Sequence, residues 1–327
     1  MRSWLCAYLL LPLLSFSQKK DTLFKYLDST LQPTNGKNAA YFGVAIKDGK
    51  SWMLYALYPD TTLVIKAWFK DRQLQIKDGP YTLYYPKRMV AQAGYYKENK
   101  MNGIWQTWHS NGQKKDSGLI KNNLLTGLWK EWYPSGRLKF ECTYQENSAY
   151  TVKSVSNAYY GIKNGGFTSW YEDGTMESNG TYTNDIMEGE WKFYHTNGTP
   201  STVEQYKYGK VVSLLCFDTT GKGTGEFCSI DKPALLKGFG NYQQYIYQNL
   251  LWPQEAIQNN IEGEVRVRFA VNKFGQLEKL VIESDKEVLK KAVEELFETM
   301  KEWYPAVSHN RNIDWEEQIT IPFYRNK

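Results

Sequence analysis

The side chains best suited to chemistry are scarce in this sequence. Its three histidines, His109, His195 and His309, lie far apart along the chain, and the first two occupy ordinary strand positions beside aromatic residues. No serine lies in a nucleophile elbow, no glycine-rich loop is placed to bind phosphate, and there is no His-Glu-x-x-His stretch. We therefore predict no catalytic residues, no cofactor and no enzymatic activity.

Cysteine could supply metal ligands or a disulfide. Beyond Cys6 in the N-terminal apolar run, the chain has Cys142, Cys216 and Cys228. Cys216 and Cys228 flank a glycine-rich turn region and could pair in an oxidising compartment. Cys142 occupies a position where other repeats carry glycine, which favours a small packed residue. Because no Cys-x-x-Cys pair or His/Cys cluster occurs, we predict no metal site.

Composition limits the class of protein. The net charge of the 327 residues is only +5, too small to indicate a nucleic-acid binder. Charged residues at 23% and apolar residues at 42% are typical of a folded chain. Aromatic residues reach 16%, with 12 Trp and 25 Tyr, and this excess must lie in strands or on a stacking surface.

The first residues have the layout of an export signal. Arg2 precedes an apolar run over residues 4–14, and Ser15-Phe16-Ser17 places small residues before Gln18. The run is 11 residues long, whereas a bilayer span needs about 20 apolar residues. We predict a signal peptide over residues 1–17 that is cleaved before Gln18. An uncleaved segment would instead anchor the protein in a membrane.

A repeat of 24 residues determines the predicted architecture. The motif Gly-x-Trp-x-x-Trp-x-x-Asn-Gly begins at Gly103 and recurs from Gly127, and a second pair of copies begins at Gly165 and Gly189. The closing Asn-Gly, Ser-Gly or Asp-Gly dipeptide tolerates the positive φ of a tight hairpin turn. We therefore predict a mainly β array of stacked antiparallel hairpins over residues 79–222.

The repeated aromatic residues have two interpretations. They could pack on their equivalents in neighbouring repeats, as stacked repeats require, or one row could line a binding groove. Trp105 and Trp108 are three residues apart, which places them on opposite faces of an unbroken strand. The aromatic residues concerned are Tyr81, Trp105, Trp108, Trp129, Trp132, Trp170 and Trp191.

This pattern resembles the MORN repeat variant of bacterial envelope and antitoxin-like proteins. The resemblance rests on the Gly-x-Trp-x-x-Trp/Tyr-x-x-Asn-Gly phrase. It implies an elongated antiparallel sheet that contacts protein or lipid, and it implies no reaction. Residues 18–78, before the array, are predicted to form a short helix around Leu23, Phe24, Leu27 and Leu31, followed by degenerate strands.

The pattern changes after a predicted linker at residues 223–237. Residues 241–250 have helical spacing, and residues 264–271 alternate between apolar and polar positions. A second alternating segment, a helix with one apolar stripe and a final strand complete a small α+β domain over residues 238–327. Pro322 cannot donate to a sheet ladder, which predicts that the final strand lies at a sheet edge.

These residues resemble the C-terminal domain of TonB, the energy transducer of the Gram-negative periplasm. The matching phrases are Trp252-Pro253-x-x-Ala256, the alternating pattern from Ile261 to Leu277, Trp303-Tyr304-Pro305-Ala306 and Ile321-Pro322-Phe323. The resemblance implies that the domain binds the TonB box, a short extended peptide of an outer-membrane receptor, by adding it as a strand to a free edge. The predicted partner-binding residues are Gln318, Ile319, Thr320, Ile321, Phe323 and Tyr324.

We interpret the chain as a periplasmic or cell-envelope binding protein. Residues 18–237 carry 28 basic and 21 acidic residues, a net charge of +7, which suits docking to a partner or to an anionic envelope surface. Residues 238–327 carry 11 basic and 14 acidic residues. The alternative is a genuine TonB-type transducer with an uncleaved inner-membrane anchor, although the chain lacks a proline-rich spacer. The edge strand could also be merely exposed, or could pair with a second copy.

Overall fold

The computed structural model describes residues 21–86, 88–146, 161–225 and 228–325. The predicted signal peptide lies outside these residues. The chain divides into two compact units, which are residues 1–187 and residues 188–327. Their boundary lies within the predicted repeat array and not in the predicted linker, so the sequence-based domain limits stay predictions.

The first unit is a series of antiparallel strands. Each strand from β3 to β12 pairs with the next along the chain, and β1 pairs with both β2 and β3. The strands are β1 Thr22–Leu27, β2 Pro33–Thr34, β3 Tyr41–Asp48, β4 Ser51–Leu57, β5 Leu63–Phe69, β6 Lys77–Tyr84, β7 Val90–Lys97, β8 Lys100–Trp108, β9 Lys114–Lys121, β10 Leu124–Trp132, β11 Leu138–Gln145, β12 Ile162–Trp170 and β13 Met176–Thr183. A 3-10 turn spans Gly36–Asn38. The predicted mainly β hairpin architecture is confirmed.

The helix predicted near Leu23 is wrong, because these residues form β1. Leu23 and Leu27 face the core, and Leu27 is fully buried. Phe24 lies on the other face and is 68% exposed. The same leucine spacing fits a helix or an alternating strand, and pairing with β3 decides for the strand.

Two kinds of turn alternate along the hairpins. In the first kind, the Gly112 N–H donates to the His109 carbonyl and the His109 N–H to the Gln113 carbonyl, with Gly112 at φ +86°. The predicted glycine turns at Gly136, Gly174 and Gly198 have the same hydrogen bonds. The second kind has two residues at positive φ, as at Asn122 and Asn123, and matches the twist of the strands. Each repeat therefore consists of two strands and two turns.

The strand that carries Trp105 and Trp108 is not regular. Its pairing register shifts between Thr107 and Trp108, and equivalent shifts precede the second aromatic residue of the other repeats. Such a register shift is a β-bulge. The prediction that the two tryptophans lie on opposite faces assumed an unbroken strand, so it does not apply to this strand.

The second unit joins the last repeat to the C-terminal domain. The predicted order of helix, strand, strand, helix and strand is confirmed, and short strands are added to it. Its elements are β14 Ile186–Tyr194, which begins at the unit boundary, β15 Pro200–Lys207, β16 Lys210–Phe217, β17 Gly223–Gly225, β18 Asp231–Lys232, β19 Leu235–Leu236, α1 Tyr242–Asn249, α2 Gln254–Gln258, β20 Gly263–Val271, β21 Leu277–Glu283, α3 Glu287–Thr299, β22 Trp303–Tyr304, β23 Ala306–Ser308, β24 Arg311–Ile313 and β25 Trp315–Phe323. A disulfide joins Cys216 to Cys228.

The turn between β23 and β24 attaches this domain to the last repeat. His309 Nδ1 lies 2.8 Å from Glu204 Oε1 on β15, and the His309 ring stacks on Phe193 of β14 with centroids 3.4 Å apart. Asn310 Nδ2 donates to the Phe217 carbonyl. Sequence reasoning missed this contact because its partners are about a hundred residues apart.

Candidate functional site: an edge strand beside an apolar groove

Strand β25 lies at an edge of the C-terminal sheet. The sheet order is β21-β20-β25, and β25 pairs with β20 from Trp315 to Phe323. Among the described residues, no strand pairs with its other side. This is the position that Pro322 predicted.

The outward backbone groups of β25 can be assigned from two observations. The Gln318 N–H donates to the Glu317 carboxylate at 3.0 Å, so it points away from β20. Pro322 lies four residues after Gln318, so its backbone faces the same side of the strand. It has no N–H, which is tolerated on this side because no hydrogen bond to a neighbouring strand is needed there. Because alternate residues face the same side, Glu316 and Thr320 also present their backbone groups outward.

An apolar groove runs beside this edge. Its volume is about 580 Å³, and none of its lining residues is charged. From the strand side it is lined by residues 319–324, and from the helix side by Gln243, Ile246, Tyr247, Leu250 and Trp252. Tyr247 is 89% exposed and Tyr324 is 54% exposed. Exposed aromatic side chains around an uncharged groove are typical of a recognition surface.

The helix side of the groove is held by local capping and by packing. The Asn241 side chain accepts hydrogen bonds from the Gln243 and Gln244 N–H groups and begins α1. Trp252 packs against Phe323 with ring centroids 6.0 Å apart. The buried Trp252 indole N–H has no acceptor among the described residues. Sequence reasoning identified the strand and missed this helix wall.

The predicted repeat aromatics fall into two burial groups. Tyr81, Trp105 and Trp191 are buried, whereas Trp108, Trp129, Trp132 and Trp170 are partly exposed. The Trp105 ring lies over Gly94, where a Cβ would come within 2.2 Å of it, and its indole N–H donates to the Tyr95 carbonyl. These contacts favour the packing interpretation for the buried group.

Two of the three histidines contact backbone carbonyl oxygens. His109 Nε2 lies 2.9 Å from the Trp132 carbonyl oxygen, and His195 Nε2 lies 3.2 Å from that of Phe217. Burial raises the pKa of the Cys142 thiol to about 11, so the reactive thiolate is rare at neutral pH. The described part of the chain holds no group of three His, Cys, Asp or Glu placed to bind a metal.

Comparison with known families agrees with the sequence patterns. A model of the Gram-negative bacterial TonB protein C-terminal family matches residues 248–324. A model of the MORN repeat variant matches residues 125–146 and 187–208. A search of curated proteins found no match. Within the described residues, none of the helices combines the length and the hydrophobicity that a membrane span requires.

Both matched families are non-catalytic, and TonB C-terminal domains interact with proteins of the outer-membrane transport system. The combination indicates a Gram-negative envelope protein related to TonB, with a protein as partner. The chain thus carries MORN-type repeats followed by a TonB-like C-terminal domain, the fusion that its sequence predicts.

Proposed function

We propose that this protein is an exported, non-enzymatic binding protein of the cell envelope. Its C-terminal domain binds an extended peptide segment of an outer-membrane partner by adding it as a strand to β25. The repeat array serves as the scaffold. The observation that supports this proposal best is the outward-facing backbone of β25 beside an uncharged groove.

The geometry limits which peptides would fit. An added strand can exchange backbone hydrogen bonds with Glu316, Gln318 and Thr320, but it can only donate to Pro322. Alternate side chains of that strand would point toward the groove wall formed by Tyr247 and other α1 residues. Because the groove lining is uncharged, we expect apolar or aromatic side chains at these positions.

A single backbone change can test strand addition without removing the fold. Thr320→Pro deletes an outward N–H that β20 does not use, whereas Thr320→Val keeps that N–H and serves as the matched control. Binding would be measured by calorimetry on the full mature chain, with synthetic TonB-box peptides of outer-membrane receptors. We expect Thr320→Pro to weaken binding at least tenfold and Thr320→Val to leave it within about twofold, since a blocked strand pairing loses several hydrogen bonds.

Equal binding by both variants would contradict the edge-strand mechanism. Circular dichroism of each variant would establish that the fold is retained. Concentration-dependent dimerisation that Thr320→Pro abolishes, without any peptide binding, would assign the edge to self-association.

The location of the protein separates the binding role from energy transduction. A soluble periplasmic form that begins at Gln18 would support the adaptor or binding role. An intact Met1 in the inner membrane would favour the TonB-type transducer. Cell fractionation with N-terminal sequencing of the mature protein distinguishes the two.

A further inference from the structure

The first unit contains a cavity that the peptide-binding proposal does not use. Its volume is about 410 Å³, and it lies among β5, β6, β7, β8 and four of the connecting loops and turns. Ile65, Phe69 and Met101 form a buried apolar floor. The polar lining consists of Gln32, Gln75, Lys77, Tyr81, Tyr96, Asn99 and Asn123, and no carboxylate is among the described lining residues.

Lys77 supplies the positive charge of this cavity. Its Nζ lies 5.1 Å from the Tyr96 ring centroid and 5.7 Å from that of Tyr81, which is cation–π distance. Among the described residues, no Asp or Glu oxygen lies within 4 Å of this ammonium. Burial lowers the pKa of Lys77, and no nearby carboxylate acts to raise it. A desolvated cation without a counter-ion attracts an anion.

Lys163 occupies the equivalent position in a later repeat and differs from Lys77 in the charge of the residue beside it. Lys163 Nζ also lies over two rings, those of Phe167 and Tyr182, and its backbone N–H donates to the Asp185 carboxylate at 2.8 Å. The Lys77 N–H makes the same bond to Asn99 at 2.7 Å. The equivalent turn position is therefore occupied by the negatively charged Asp185 beside Lys163 and by the neutral Asn99 beside Lys77.

Two leucines on the cavity wall have strained backbones. Leu31 has φ 65° and Leu74 has φ 63°, a region that disfavours leucine. The Leu31 turn repeats the hydrogen-bond pattern of the His109 to Gln113 turn, in which glycine holds the equivalent position. Leu31 occupies this position in place of glycine, and its side chain extends the apolar lining of the cavity. Strained backbone conformations of this kind are often found at ligand sites.

We propose that this cavity binds a small amphipathic monoanion, a carboxylate with an apolar tail. The carboxylate pairs with the Lys77 ammonium, and the tail lies against Ile65, Phe69 and the two leucines. A single cation matches a single negative charge. The cavity volume is within the range of small-molecule sites.

Decanoate is a suitable probe, with decanol as its neutral counterpart. Binding would be measured by calorimetry on the full mature chain and on three variants. Lys77→Gln removes the cation. Asn99→Asp places a carboxylate beside it, as Asp185 does beside Lys163. Lys163→Gln is the matched control. We expect decanoate to bind the parent protein at least tenfold more tightly than decanol does.

Lys77→Gln and Asn99→Asp should each weaken decanoate binding tenfold or more, and Lys163→Gln should change it less than twofold. Thermal unfolding without ligand would establish that all three variants fold. The proposal is overturned if the parent protein does not bind decanoate at millimolar concentration, or if decanol binds equally well. It is also overturned if Lys77→Gln and Asn99→Asp, when folded, retain full affinity.

Discussion

The buried carboxylate of Glu204 allows a quantitative prediction about the second unit. Glu204 is 0% exposed and accepts three side-chain hydrogen bonds. Thr202 Oγ1 lies 2.6 Å from Oε1, His309 Nδ1 lies 2.8 Å from the same oxygen, and the Tyr206 hydroxyl lies 2.6 Å from Oε2. An ionised carboxylate only accepts, so His309 Nδ1 is the donor.

His309→Ala should lower the free energy of unfolding of this unit by about 2–4 kcal/mol. A hydrogen bond to a charged group contributes about 1.5–3 kcal/mol, and loss of the ring stacked on Phe193 adds about 0.5–1.5 kcal/mol. The effect should not reach the upper end of the roughly 3–5 kcal/mol seen when a buried charge loses its partner, because two donors remain.

Urea unfolding at pH 7 measures this difference. Lys279→Ala is the control, since it breaks an exposed ion pair with Glu316 whose side chains are 70% and 71% exposed. Because solvent screens an exposed ion pair, we expect no measurable loss of unfolding free energy from that change. If His309→Ala costs no more than the control, the buried hydrogen bond does not stabilise the attachment of the C-terminal domain.

The pH dependence of Glu204 has a definite sign. Burial alone would raise the pKa of Glu204, but the hydrogen bonds from His309, Thr202 and Tyr206 outweigh it and hold the pKa below its ordinary value of 4.5. The unfolded chain therefore binds this proton more readily than the folded chain. The stabilisation is fully present above the ordinary pKa and is lost as the pH falls through the lower folded value.

Glu204→Gln removes this titration. The stability difference between the parent protein and Glu204→Gln should therefore be constant above about pH 6 and shrink as the pH falls below 4.5. Urea unfolding of both proteins across this range measures the difference. A difference that stays constant down to pH 3 would refute the assignment of a lowered pKa.

Three further predictions concern packing and the cysteines. Gly94→Ala should cost about 1–3 kcal/mol of unfolding free energy, because its Cβ would overlap the Trp105 ring. In Gly166→Ala the added Cβ meets nothing within 4 Å, and equal effects in urea unfolding would argue against tight packing. Cys228→Ser should cost about 3 kcal/mol through loss of a 12-residue cross-link, and an unchanged thermal midpoint would contradict this. Burial raises the pKa of Cys142 to about 11. After treatment with a thiol-alkylating reagent at pH 8, mass spectrometry should therefore find this thiol unmodified in the folded protein and alkylated in urea.

Much of the fold could be predicted because its determinants are local. The 24-residue period, the glycine of each predicted hairpin turn and the alternation of the C-terminal strands are all properties of neighbouring residues. Pro322 predicted the edge position of β25, since a residue without an N–H cannot serve a central ladder. The backbone side that β25 leaves free, with its outward Gln318 N–H, became clear only from hydrogen bonding.

Local pattern failed where one spacing fits two structures. Leu23 and Leu27 fit a helix face as well as alternate positions of a strand, and only the pairing of β1 with β3 distinguishes them. The bulge before Trp108 is likewise set by its partner strand. Neither outcome depends on the intrinsic preference of the segment alone.

The sequence by itself determined the repeat, its hairpin turns and the TonB-like order of the C-terminal elements, because each depends on residues within a few positions of one another. The tertiary structure decided which distant side chains meet. It brings His309 to Glu204, the α1 wall to β25, and Lys77 to the rings of Tyr81 and Tyr96. The burial of the Glu204 and Lys77 charges and the shape of the groove beside β25 depend on such contacts between separate elements. The secondary-structure preferences of neighbouring residues do not encode these contacts.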